Sequence, residues 1–303
     1  MIRKIHKDIF TLVGNTPLID LSDLVEGNGR VKLYAKVESF NPGGSVKDRP
    51  GLEIILSAKE KRLLTPEKKL LDATSGNMGI AYTLFALGLG FKATLCVPAN
   101  ASPERIRLLK ILGAELIITD PLAGIDGAIE KARELYEKTP ELYYYADQYS
   151  NPANILAHYK TTGPEIWEQT AYSITHFVAG LGTSGTMMGV GRFLKEKNKE
   201  IKLIGVQPDS SLHGIEGLKH MKTAIRPKIY DESLLDEIYF VSTEEAYAMT
   251  LKLLKQKRLF VGVSSGAALA VGLKVAKSIK EGVVVTLFPD GGFKYMSERF
   301  WEE

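Results

Sequence analysis

Cysteine is nearly missing from this chain. One thiol, Cys96, stands among 303 residues, so an intrachain disulfide is impossible, which fits a reducing cytoplasm. An excess of one charge is missing too: 39 basic residues face 36 acidic ones, a net charge of +3. That balance argues against a general nucleic-acid or membrane-binding surface. No apolar run is long enough to cross a bilayer, which takes about 20 residues. The most apolar stretch, residues 80–91, is interrupted by Tyr82, Thr83, Gly88 and Gly90. Residues 1–8 are charged and lack the apolar centre of a signal peptide. The 5 histidines show neither HExxH nor HxH spacing, so no metal site is expected. Low-complexity tracts and repeats of solenoid period are absent as well.

What remains is the composition of an ordinary globular protein, 45% hydrophobic and 25% charged, with length enough for two domains. Strand-like apolar runs at 31–37, 69–73, 93–97, 115–119, 176–179, 202–206 and 283–288 alternate with helical patterns. The helical patterns cover 50–61, 80–89, 103–112, 124–138, 164–169, 243–256 and 266–279. Such alternation predicts an α/β fold of open, mostly parallel sheets wrapped by helices. Several strand-to-helix junctions are rich in Gly, Ser, Thr and Asn, and in such sheets ligands bind at the C-terminal ends of strands. The polar, turn-rich segment 143–153 is the candidate joint between two lobes.

In residues 41–49 (NPGGSVKDR), Gly43 and Gly44 allow a tight turn that sets Lys47 at the mouth of a helix starting near Pro50. Burial there would disfavour the ammonium form, as would the positive end of the helix. A neutral amine is what condenses with an aldehyde cofactor. A solvated lysine in a first helical turn fits the same stretch. A phosphate-loop lysine does not, because Val46 and Asp48 flank it where that motif needs Gly and Ser or Thr.

Residues 72–79 (DATSGNMG) follow a strand and open a helix. Their free N–H groups, with the side chains of Thr74, Ser75 and Asn77, suit a carboxylate or phosphate. The same residues also make a helix cap, the simpler reading of this stretch alone. Residues 180–186 (GLGTSGT) match a dinucleotide pattern at Gly180, Gly182 and Gly185. The next strand candidate, however, ends at Gln207 and Pro208 rather than at an acidic residue. Thr183, Ser184 and Thr186 crowd hydroxyls into one turn, which suits a single phosphate monoester. Ser264 and Ser265 precede a further helix, with Ser265 read as its cap. Cys96, in an apolar strand with no nearby histidine, reads as a core residue.

Together, residues 15–18, 41–49, 74–79, 148–154, 161–167, 182–186 and 262–266 resemble the motifs of the cysteine synthase family, in order and over nearly the whole chain. Within that family the chain looks like the cysteine synthase B and O-phosphoserine sulfhydrylase branch. The resemblance implies the tryptophan-synthase β-subunit-like fold (fold type II) and pyridoxal 5'-phosphate as cofactor. It implies a smaller, mobile lobe, residues 40–150, carrying the substrate-carboxylate loop. A larger lobe, residues 1–39 plus 151–303, would carry the cofactor-phosphate loop. Lys47 resembles the Schiff-base lysine, and Asn77 the partner of the cofactor's ring hydroxyl. Gly182, Thr183, Ser184, Gly185 and Thr186 resemble the phosphate cradle, and Ser264 the residue facing the pyridine nitrogen. Thr74, Ser75, Asn77 and Gln148 match positions that hold the amino-acid carboxylate. Met78 departs from the pattern, since relatives often carry Thr there. Its N–H remains, but a hydroxyl is lost.

The implied reaction expels acetate or phosphate from an activated serine through an α-aminoacrylate and adds sulfur at Cβ, with Lys47 moving the Cα proton. Sulfide, thiosulfate or a protein thiocarboxylate can each supply the sulfur. A neutral hydroxyl at Ser264 suits chemistry in which the leaving group itself removes the electrons. Cystathionine β-synthase and serine/threonine dehydratase share the fold and form the alternative. A nucleotide-binding or regulatory protein on this fold would be colourless and retain NAD.

Residues 217–228 carry Lys219, Lys222, Arg226 and Lys228 beside His220. In the O-phosphoserine-using relatives this stretch resembles, a basic residue near Lys219 meets the substrate phosphate. A solvated basic loop is the alternative. The resemblance also implies a homodimer, the commonest assembly. Ile2, Ile5, Ile9 and Phe10 of the N-terminal arm would be free to reach a partner.

Overall fold

The computed structural model describes residues 6–27 and 29–302. Ten strands occur in this part of the chain: β1 (Leu18–Asp20), β2 (Val31–Val37), β3 (Lys69–Ala73), β4 (Ala93–Pro98), β5 (Glu115–Thr119), β6 (Tyr143–Tyr145), β7 (His176–Gly180), β8 (Lys202–Pro208), β9 (Glu237–Val241) and β10 (Gly282–Phe288). They build a six-stranded sheet, β1-β2-β10-β7-β8-β9, and a four-stranded sheet, β5-β4-β3-β6. Every pairing is parallel except that of β1 with β2. Helices α1 (Asp48–Glu60), α2 (Asn77–Gly88), α3 (Pro103–Ile111) and α4 (Gly124–Lys138) accompany the smaller sheet. Helices α5 (Pro152–Ala157), α6 (Gly163–Gln169), α7 (Gly185–Lys197), α8 (Thr243–Lys252) and α9 (Val263–Ser278) accompany the larger. The α/β class expected from the sequence, two open, mostly parallel sheets wrapped by helices, is borne out.

Burial explains the patterns. Strand β4 is buried at every residue, as a central parallel strand covered on both faces must be. Helix α9 buries 13 of its 16 residues because it lies between α8 and strands β10, β7 and β2, so it is apolar all round rather than striped. Helix α4 is striped: Ala128, Ile129 and Ala132 face β3 and β4 while Glu130, Glu137 and Lys138 are exposed to water.

Strands β1, β6 and β9 and helices α5 and α7 are additions to the sequence expectation. Segment 143–153 is not all linker. Its three tyrosines form β6, the edge of the small sheet, before the chain crosses to α5. Aromatic residues favour strands, but the polar residues that follow hide a run only three residues long. Helix α7 carries Gly185, Gly189 and Gly191, which lower helix propensity and mask its periodicity.

A buried ionic cluster ties α1 to the larger sheet. Arg49 Nε donates to Glu38 Oε2 at 2.6 Å and its Nη1 to Glu165 Oε1 at 2.6 Å, while Lys36 Nζ reaches Glu165 Oε2 at 2.7 Å. Thr16 closes the group by donating to Glu38 Oε1 at 2.6 Å. Through Arg49, two residues beyond Lys47, this cluster fixes the first turn of α1.

Of the arm residues offered to a partner, Ile2 and Ile5 lie outside the described residues. Ile9 and Phe10 pack on the chain's own core around the smaller sheet, Phe10 with its ring 5.9 Å from that of Phe85. Among the described residues, no helix is long and apolar enough to cross a membrane.

Candidate active site

The C-terminal ends of β3, β4, β7 and β10 converge on one cleft of about 320 Å³. It gathers Lys47, Thr74, Ser75, Asn77, Met78, Gln148, Gly182, Thr183, Ser184, Thr186, Lys219 and Ser264. Gly185 alone among the candidates does not line it, because it starts α7 behind the loop.

Lys47 is held from both sides. The N–H of Val46 donates to Pro289 O at 2.8 Å, and Ser45 bridges Asp290. Helix α1 begins at Asp48, two residues earlier than expected, so Lys47 sits at its N-cap. Desolvation in the cleft pulls the Lys47 ammonium down to about 8, against the pull of the Asp290 carboxylate. Its Nζ makes no hydrogen bond or ion pair among the described residues. The other cleft cations are engaged: Arg105 with Glu216, and Lys219 with Asp126.

The Thr74–Asn77 turn precedes α2. Thr74 Oγ1 accepts from the N–H of Gly76 at 3.0 Å and of Gly79 at 3.3 Å, so it does cap the helix, and its own hydrogen remains to donate. Gly76 has φ +151°, and a Cβ there would collide with the Arg105 side chain packed behind the turn. The Asn77 amide is fixed at both ends. Its Nδ2 donates to Asp290 Oδ2 at 2.7 Å, and its Oδ1 accepts from Lys294 Nζ at 2.8 Å. Lys294 also donates to the carbonyls of Gly43 (2.9 Å) and Gly44 (3.1 Å), so it staples the lysine loop to this turn. Met78 sends its side chain into the core around the smaller sheet, and only its backbone is left for a ligand. Gln148 Nε2 donates to Ala73 O at 2.7 Å, and its N–H to Asp72 Oδ2 at 3.2 Å. Burial pushes the Asp72 carboxyl up to about 7.

On the other wall, Gly182–Thr186 forms a concave turn at the start of α7. Ser184 takes the left-handed conformation (φ +68°), which aims successive N–H groups inward. A Cβ on Gly182 would strike the carbonyl of Gly217, and one on Gly185 the Asn154 amide. Asn154 Nδ2 donates to Thr183 Oγ1 at 3.1 Å, and His158 Nε2 lies 3.3 Å from Thr186 Oγ1. Burial holds the His158 imidazole well below its usual pKa, hence neutral. Ser264 opens onto the cleft from the first turn of α9. Ser265 is not the cap it was read as. The helix already starts at Val263, so its hydroxyl is buried within the first turn without a hydrogen-bond partner. Cys96 is a core residue of β4, its thiol pushed up to about 12 by burial.

Segment 217–228 divides. Lys222, Arg226 and Lys228 are exposed, whereas Lys219 is only 5% exposed. Its backbone N–H donates to Leu181 O at 2.9 Å, its Nζ lies 2.5 Å from Asp126 Oδ1, and the ammonium stands 5.2 Å from the Tyr149 ring. Nothing in the sequence pointed to Arg105, Asp126, Lys294 or Tyr295. None belongs to a motif that the sequence reading singled out, and each meets the site through contacts far apart in the chain. Buried Arg105 lies 4.5 Å over the Tyr295 ring, and Tyr295 donates to Asp290 Oδ2 at 2.9 Å.

These features fit pyridoxal phosphate: a lysine with a lowered pKa and no partner faces a single anion cradle that glycine alone permits. The family model described as pyridoxal-phosphate dependent enzyme matches residues 9–290. The chain is 50% identical to the cysteine synthase of Aquifex aeolicus, across 99% of its length and 94% of that relative. It is 40% identical to cysteine synthase B of Escherichia coli, across 94% and 93%. The crystal structure of the cysteine synthase from Entamoeba histolytica superposes with a TM-score of 0.93 at 35% identity, covering 99% of this chain and 92% of that one. The chain belongs to the cysteine synthase family of pyridoxal-phosphate-dependent enzymes, and pyridoxal phosphate is its cofactor.

Proposed function

We propose that the chain forms L-cysteine from an activated serine, O-acetylserine or O-phosphoserine, by replacing the Cβ substituent with a sulfur nucleophile. The observation that carries this reading is the free, half-buried amine of Lys47, lowered to about 8, in a cleft whose other cations are paired.

When bound, pyridoxal phosphate supplies an aldehyde that captures amines and a ring that draws electrons from Cα. Gly182–Thr186 would hold its phosphate through backbone N–H groups, the α7 N-terminus and the hydroxyls of Thr183, Ser184 and Thr186. Asn77, with its amide fixed by Asp290 and Lys294, has a second Nδ2 hydrogen for the ring hydroxyl. The neutral Ser264 hydroxyl, which opens onto the cleft, would serve the ring nitrogen, where a carboxylate would deepen electron withdrawal and favour other reactions. The N–H groups of the Thr74–Met78 turn, with Gln148, bind the substrate carboxylate. Lys47 takes the Cα proton and later returns it, a task suited to a pKa near the working pH. Closure of the 40–150 lobe over the bound carboxylate excludes water while Cβ is reactive. Lys219, beside the cradle, meets the leaving group and favours phosphate through a charge-assisted contact.

The test is to mix purified holoenzyme with O-acetylserine and O-phosphoserine separately, follow the cofactor's visible absorbance, then add sulfide and quantify cysteine. A spectral change with at least one ester, followed by cysteine, is expected. Loss of ester without cysteine would favour a dehydratase-type reaction, and no change with either would contradict the reading.

A further inference from the structure

Asp126 lies in the first turn of α4, on the small-lobe side of the cleft, and both its oxygens serve the large lobe. Oδ1 takes the Lys219 ammonium at 2.5 Å, and Oδ2 accepts from the N–H of Ile225 at 2.7 Å. Lys219 is buried, so water does little to screen this pair. The Lys219 charge is thus shared before any substrate arrives. A neutral acetyl group loses nothing by that. A phosphate dianion at Lys219 would have to compete with the carboxylate for the same ammonium and would lie beside a like charge.

We infer that Asp126 is a specificity-determining residue whose carboxylate withholds part of the Lys219 charge from the leaving group and so shifts preference from the phosphate ester towards the neutral one. The inference rests on the reading that Lys219 meets the leaving group. Asparagine at 126 would satisfy the Ile225 N–H with its oxygen and turn a nitrogen towards Lys219, leaving the ammonium to the substrate.

The experiment compares wild-type, Asp126→Asn, Lys219→Ala and double-variant holoenzymes. Each is assayed for the ratio of kcat/KM with O-phosphoserine to that with O-acetylserine, and for inhibition by inorganic phosphate. Asp126→Asn is expected to raise the ratio about tenfold, the scale of one charge-assisted contact, and to tighten phosphate inhibition similarly. Lys219→Ala should lower the ratio, and in the double variant both gains should vanish. A ratio that falls or stays within about twofold in Asp126→Asn, while Lys219→Ala still lowers it, overturns the role of Asp126 and leaves that of Lys219 standing. No change in Lys219→Ala overturns both. Asp126→Ser, which keeps an acceptor for Ile225, replaces the asparagine variant should its thermal unfolding show a misfolded chain.

Discussion

Lys47 and Lys219 share a cleft but not a circumstance. Lys47 has no carboxylate in contact, so desolvation dominates and its ammonium falls from 10.5 to about 8. Amine-directed labelling of Lys47 in the cofactor-free chain, read by mass spectrometry against pH, should therefore have its midpoint near 8. A midpoint near 10.5 would contradict the desolvated site. Lys219 instead pairs with Asp126. Replacing it with alanine should cost O-phosphoserine turnover about 1.5–3 kcal/mol in kcat/KM relative to O-acetylserine, roughly tenfold or more, which parallel kinetics would read directly. Equal small losses with both esters would make it a structural residue. The residues legible from sequence were those in turns whose glycines, hydroxyls and lysine declare themselves within a few positions. Lys294 was not, because its meaning is a contact with Asn77, 217 residues away.

At the scale of elements, the lysine loop is only as rigid as the anchor of α1. Arg49, Glu38, Lys36 and Glu165 are removed from water together, so deleting one partner strands the others. Glu38→Ala should destabilise the fold by about 3–5 kcal/mol, measured by denaturant unfolding near neutral pH. The acid side has a definite sign. The guanidinium of Arg49 and the ammonium of Lys36 outweigh desolvation and hold Glu165 at about 2, and Arg49 likewise holds Glu38 below 4.5. A depressed carboxyl contributes fully above its unfolded value and loses that contribution as pH falls through the folded one. Stability should decline from about pH 5 towards pH 2, and less steeply in Glu38→Ala. Equal slopes would show that the cluster does not titrate with unfolding. The elements themselves were legible where burial is one-sided or complete over five residues or more, as in β2, β4 and α4. Strands β1 and β6 are too short, and glycines blur α7.

At the scale of the molecule, two mostly parallel sheets bring C-terminal strand ends to one cleft, and the candidate loops lie at such ends or at helix starts. That convergence was legible as a rule about open sheets, whereas the ion pairs Arg105–Glu216 and Lys219–Asp126 that cross the cleft were not. A homodimer remains the proposal, with light scattering at micromolar concentration expected to give twice the 33.4 kDa chain mass and a monomer mass counting against it. The central claim is that the free amine of Lys47 moves the Cα proton in replacing the Cβ substituent by sulfur. Its most direct test is cysteine formation from O-acetylserine or O-phosphoserine and sulfide by cofactor-saturated Lys47→Ala, with folding verified by circular dichroism. A folded protein that holds the cofactor loosely and has lost turnover is expected. Near-normal cysteine formation by that variant would contradict it.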